Sequence, residues 1–168
     1  MLFCDITLWY NHVMNKDRIS VEQVKEVLQK LAGQEITRVW FSSGTYIFLE
    51  IGELHLECNP VSKKTHTKGD WTLGQVPYWR LLRGENVYFD SLDAELEELK
   101  KAAWSLENKK IVSVDVADTM TSVDVLLSSG TTIRFYRGKH DFFRLTYNHK
   151  SYLVVGEDGT PSFSHTEL

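Results

Sequence analysis

The sequence predicts an α+β domain in which a helix followed by an antiparallel meander of four to five strands is written twice and packed around one shared core. Three observations predict it. Two stretches carry apolar residues at helical spacing, short β-rich runs broken by turn residues follow each of them, and the two halves align with one another. A chain of 168 residues suits one domain. Its repeats are expected over about 20–90 and 91–158, with a loose tail over 159–168.

The opening residues 2–10 are apolar and rich in β-formers, and read as a strand or a terminal arm. Ser20-Val21-Glu22-Gln23 then has the form of a capping box, and Val21, Val24, Val27, Leu28 and Leu31 give the stripe of a helix that Gly33 closes. Residues 36–41, 46–51 and 54–58 follow as strands, with turns at Ser42-Ser43-Gly44 and Gly52-Glu53. A fourth strand runs from Trp71 to Leu82, interrupted around Gly74–Pro77.

The second helix is expected over 91–108. Leu92, Leu96, Leu99, Ala103 and Leu106 form its stripe, and Asp90 or Ser91 is its N-cap. Strands at 111–116, 123–127, 132–136, 142–147 and 151–155 follow. Leu31–Val39 aligns with Leu106–Val114, Tyr46–Leu49 with Val123–Leu126, and Trp71-Thr72-Leu73 with Phe143-Arg144-Leu145. One such unit cannot hide both its helix stripe and its sheet face alone, so two units sharing a core is the economical solution.

No catalytic, metal-ligand or cofactor motif is present. The six histidines, His12, His55, His66, His140, His149 and His165, form no metal-ligand spacing, and no nucleophile elbow, P-loop or dinucleotide fingerprint occurs. Cys4 and Cys58 lie in apolar runs and read as reduced, buried thiols. Glu50, Glu53 and Glu57 lack the following lysine that a divalent-metal nuclease site would want. The net charge of −4 disfavours a nucleic-acid partner and suits a basic protein. The acidic residues offered as a partner-binding patch are Asp115, Asp118 and Asp124 on the second meander, with Glu53 and Glu57 on the first. Among Trp9, Trp40, Trp71, Trp79 and Trp104, mostly core candidates, one or two exposed rings would anchor an interface. Without a signal sequence or an apolar run of membrane length, a soluble cytoplasmic protein is expected.

Gly69-Asp70-Trp71-Thr72-Leu73, then Tyr78-Trp79-Arg80-Leu81, a helix, Leu106, Ile111-Val112-Ser113-Val114, Val123-Asp124-Val125-Leu126, Gly130 and Ile133-Arg134-Phe135 form a cadence. It resembles a loose group of small bacterial proteins encoded beside polymorphic toxins, including contact-dependent growth inhibition and Rhs-type systems, many of which serve as immunity proteins. The likeness spans roughly residues 30–155 and consists of apolar and turn patterns. The doubled meander with its helices also resembles the Whirly-type fold, which binds single-stranded DNA in plants and to which at least one immunity protein is similar. The resemblance implies a non-catalytic cytoplasmic inhibitor of a cognate toxin, a basic nuclease domain, with no cofactor, membrane, nucleic acid or small-molecule ligand. The alternatives are a single-stranded nucleic-acid module, for which the sequence displays no basic, aromatic-lined face, and a regulatory protein that dimerises through a sheet.

Overall fold

The computed structural model describes residues 19–42, 44–59, 61–137, 143–147, 150–155 and 160–163. The opening strand or arm, Trp9, Cys4, His12, His140, His149 and His165 fall outside these residues. Helix α1 spans Val21–Gln29, and its capping box forms as expected. Ser20 Oγ accepts from Gln23 N–H at 3.2 Å, and Gln23 Oε1 accepts from Ser20 N–H at 2.8 Å. Val24, Val27 and Leu28 are buried. The α-helix stops earlier than expected, with Lys30 as C-cap; i→i+3 bonds from Lys30, Leu31 and Ala32 then carry the chain to Gly33, whose φ of +84° glycine enters without a Cβ clash.

Helix α2 is shorter than the sequence predicts. It spans Leu96–Trp104, with Glu95 as N-cap; the Glu95 N–H donates to Glu98 Oε2 at 3.0 Å. Asp90 and Ser91 serve elsewhere. Ser91 Oγ accepts the Trp79 N–H at 2.9 Å, and Asp90 Oδ1 accepts the Leu92 N–H at 3.0 Å. Leu99, Ala103 and Leu106 are buried, whereas Leu92 and Leu96 are exposed.

Eleven antiparallel strands among the described residues form one sheet. In chain order they are β1 (Glu35–Ser42), β2 (Tyr46–Cys58), β3 (Thr65–Val76), β4 (Tyr78–Arg83), β5 (Asn86–Asp90), β6 (Lys109–Val116), β7 (Ser122–Leu127), β8 (Thr131–Tyr136), β9 (Phe143–Tyr147), β10 (Lys150–Val155) and β11 (Pro161–Phe163). Across the sheet they run β11-β10-β9-β3-β2-β1-β6-β7-β8-β4-β5. Residues 54–58, read from sequence as a separate strand, continue β2 past a register shift between Ile51 and Leu54, where Gly52 sits at φ +86°. A turn and a bulge both demand positive φ, so glycine alone does not distinguish them. Pro161–Phe163, expected in the loose tail, pairs with β10 as β11.

Strands β1–β2–β3 form one meander and β6–β7–β8 another. At Pro77 the chain leaves the first meander, and the β4–β5 hairpin adds to the outer edge of β8. After β8 the chain returns, and β9 adds to the outer edge of β3. Trp71–Leu73 and Phe143–Leu145, aligned above as equivalents, therefore include hydrogen-bonded neighbours, with Leu73 opposite Leu145. Alternating apolar residues specify which face a strand buries, and leave its neighbour open.

The meanders meet at a short seam where Glu35 pairs with Lys110 and Ile36 with Lys109. There the Gly33 N–H donates to Ile111 O at 2.7 Å, and the Asn108 N–H donates to Ile36 O, also at 2.7 Å. Helix α1 packs on β6 and α2 against β1, so each helix covers the strand that follows the other. The sheet then bends over itself. Phe41 of β1 lies 6.4 Å from Trp79 of β4, ring centre to ring centre. These strands are four positions apart and would stand about 19 Å apart in a flat sheet. The enclosed face carries the core, including Ile47, Leu49, Leu73, Trp79, Val125, Ile133, Phe135 and Leu145.

Candidate functional site

The acidic residues singled out from sequence divide into two groups on different strand pairs. Asp115 stands opposite Asp124 on β6 and β7. Arg134 of β8 takes Asp124 in a two-point ion pair, Nε to Oδ1 at 2.7 Å and Nη2 to Oδ2 at 2.6 Å. Arg80 of β4 lies opposite Arg134 and binds Asp90 Oδ2 at 2.6 Å. A charged row thus crosses five strands, Asp115–Asp124–Arg134–Arg80–Asp90. Its carboxylates hold both guanidinium groups above their usual pKa. Asp118 binds Lys25 Nζ at 2.9 Å, tying the β6–β7 connection to α1; that bond holds Asp118 below the ordinary carboxylate range. Asp115 itself is exposed, and its Oδ1 accepts the Val116 N–H.

Glu53 and Glu57 lie where β2 runs on beyond its bulge. Glu57 Oε2 is 2.9 Å from His66 Nε2 and 4.0 Å from Lys68 Nζ. The Glu53 N–H donates to Asp70 Oδ2 at 2.9 Å, and Asp70 Oδ1 lies 2.7 Å from His55 Nε2. Burial works against the Asp70 charge, yet the Glu53 amide and His55 outweigh it and lower its pKa. His55 is exposed and hydrogen-bonded, and Leu54 and Leu56 on either side of it are exposed as well. Cys58 is exposed and not buried, because this end of β2 reaches past the core; Leu56 beside it is 81% exposed. Among the described residues no three His, Cys, Asp or Glu side chains gather in a group that could hold a metal.

Two further surfaces stand out, each carrying one of the tryptophans that the sequence offers as interface anchors, Trp104 and Trp40. The first is the outer face of α2. Trp104 is 58% exposed, and Leu96, Lys100 and Trp104 follow at four-residue steps, which places them on one stripe of the helix. Asp93, Glu95, Glu97 and Glu98, all exposed, surround its N-terminal end, and Glu97 reaches Lys100 at 2.8 Å. The periodicity that marked the buried stripe marks this second one equally well. Only packing decides which stripe stays open.

The second surface is the outer face of β1, β2, β3 and β9. Trp40 and Phe48 are cross-strand partners whose rings stack at 4.1 Å and 7°. Phe48 stands opposite Gly74, and Gly74 opposite Arg144. A cleft opens there between Phe48, Thr72, Gly74, Arg144 and Lys68, and a second, which shares Trp40 and Lys68 with it, lies toward Arg38 and His66. At its floor Glu50 is fully buried. Its Oε1 accepts Trp40 Nε1–H at 2.6 Å, and its Oε2 accepts the Gly69 N–H at 2.9 Å and Thr72 Oγ1–H at 2.7 Å. A basic, aromatic-lined face therefore exists, assembled from four strands too distant in sequence to read as one motif.

Compared with known proteins, the chain matches no family model, no curated protein and no solved structure. No helix among the described residues is long and apolar enough to cross a membrane.

Proposed function

We propose that this protein is an immunity-type inhibitor, a non-catalytic cytoplasmic binder of a cognate toxin with a basic surface, such as a nuclease domain. The carrying observation is the exposed flank of α2, where a tryptophan and Leu96 stand on a helix whose adjoining stripe, Leu99 and Ala103, already fills the core. Aromatic anchors supply most of the energy of protein interfaces, and the carboxylates around Leu96 suit a partner that is basic because it holds phosphates.

On this reading the scaffold is a duplicated, Whirly-like module with pseudo-twofold symmetry. The ladders support it. In β1–β2, Ile36 pairs with Ile51, the register slips, and Arg38, Val39, Trp40 and Phe41 then pair with Glu50, Leu49, Phe48 and Ile47. In β6–β7, Ile111 pairs with Leu127, the register slips at the same step, and Ser113 to Val116 pair with Leu126 to Val123. Gly33 and Asn108, matched in the alignment, both have positive φ and bond reciprocally across the seam. Fold alone does not carry function, so the inhibitor reading stands on the α2 face.

The test is co-expression with the C-terminal domain encoded by the adjacent upstream gene. Wild-type chain rescues growth, and Trp104→Ala with Leu96→Ala does not, because losing a central tryptophan anchor costs about 2–4 kcal/mol of binding. Equal toxicity with and without the wild-type chain overturns the proposal.

A further inference from the structure

We propose that the cleft beside Phe48 is a binding site for a nucleoside phosphate, a flat ring carrying an anionic group. Gly74 shapes the floor of the cleft. A Cβ there would stand 2.5 Å from Ile47 O and 2.9 Å from Phe48 Cα, so the position is held to glycine by the close approach of β2. The Phe48 ring reaches over this bare position, its Cδ1 3.1 Å from where the Cβ would stand, and the cleft lies beyond it, toward Arg144 on the neighbouring strand. An aromatic wall beside an open floor takes a planar ring, which gains by stacking.

The rim supplies the other half of the ligand. Lys68 borders this cleft and the neighbouring one, and Arg38 lines the neighbouring one with Nη1 donating to Thr67 Oγ1. Lys68 is 28% exposed with only a 4.0 Å contact to Glu57, a partner that a phosphate displaces readily. The one carboxylate in the floor, Glu50, has both oxygens already engaged by three donors that fix its orientation. The cations at the rim favour an anion, and Trp40 and Phe48 favour a ring. From Trp40 on β1 to Arg144 on β9 the face spans three strand spacings, about 14 Å, room for one nucleotide or for a few linked ones.

The experiment titrates the ¹⁵N-labelled full chain with adenosine monophosphate, a ten-residue oligothymidylate, adenosine, or inorganic phosphate. The Trp40 indole N–H and the Gly69 and Gly74 amides are the reporters. Saturable shifts at these signals with adenosine monophosphate or the oligomer support the site. Equal affinity for the monomer and per nucleotide of the oligomer indicates free nucleotides, and binding of the oligomer alone indicates a single strand. Phe48→Ala and Lys68→Gln, each checked for an unchanged amide spectrum elsewhere, should both weaken binding about tenfold. Lys68→Gln should leave adenosine binding as it was. No shift at these signals with either nucleotide up to about 10 mM overturns the proposal, as does inorganic phosphate binding as tightly as adenosine monophosphate.

Discussion

The corner built by β2, β3 and β9 and the corner built by β7, β8 and β4 run in the same ladder register and reach opposite chemistry. Phe48, Gly74 and Arg144 follow one another across the first; Asp124, Arg134 and Arg80 follow across the second. Where the second corner holds a guanidinium clasped by a carboxylate, the first holds a glycine, an aromatic wall and a cleft. One backbone plan thus yields a self-satisfied surface or an open one, according to the side chains at its first two positions, Phe48 and Gly74 against Asp124 and Arg134.

The largest expected effect strikes the second of those positions. Gly74→Ala forces a methyl into the β2 backbone and should cost about 3 kcal/mol by urea denaturation, since the two atoms nearest to it, Ile47 O and Phe48 Cα, are backbone. Arg134→Gly at the matching place meets no such clash. It removes an ion pair that is about one-third exposed and should cost only about 1–2 kcal/mol. Equal costs would break the contrast. Glu50→Ala comes next, at about 2–3 kcal/mol, because Trp40 Nε1, the Gly69 amide and the Thr72 hydroxyl all lose their acceptor at once.

Smaller effects sharpen the comparison at the seam. Gly33→Ala should destabilise by about 1 kcal/mol through its φ of +84°, whereas Asn108→Gly, at φ +60°, should stabilise by about 0.5 kcal/mol in thermal melts. Both changes having the same sign would contradict a shared left-handed role.

The smallest concerns the extension of β2 and β3, strands of 13 and 12 residues against six each in β7 and β8. Asp70, which holds that extension, has a lowered pKa, so its ionised form favours the fold. Its contribution is present above about pH 4 and lost as pH falls through its folded value. The stability difference between wild type and Asp70→Asn should therefore shrink from pH 7 to pH 3 in denaturant titrations, and a constant difference would refute it.

How far the sequence foretold this follows from what each signal encodes. The start of helix α1 was legible because Ser20 and Gln23 act on their own neighbours, whereas its end, at C-cap Lys30, falls short of the positive-φ Gly33 that the sequence marks. Helix α2 was overextended because Leu92 and Leu96 continue the spacing of the buried stripe while facing solvent. Strand β5 was missed: its Val87, Tyr88 and Phe89 lie on an edge with little burial to enforce a pattern. Which meander β4 and β9 join was invisible, since period-two patterning names a face and no partner. The acidic residues were placed on plausible strands, but Asp124 and Asp118 turned out to be held by Arg134 and Lys25, partners that only folding brings near. Trp40, Phe48, Gly74 and Arg144 become one surface for the same reason.

The central claim is that this scaffold grips a protein partner through α2. Titration calorimetry of the purified chain with the C-terminal domain encoded by its upstream neighbour tests it most directly. The account predicts tight, salt-weakened binding that Trp104→Ala lowers about 30-fold or more and Phe48→Ala leaves unchanged. No heat of binding, or binding indifferent to Trp104→Ala and abolished by Phe48→Ala, would contradict it.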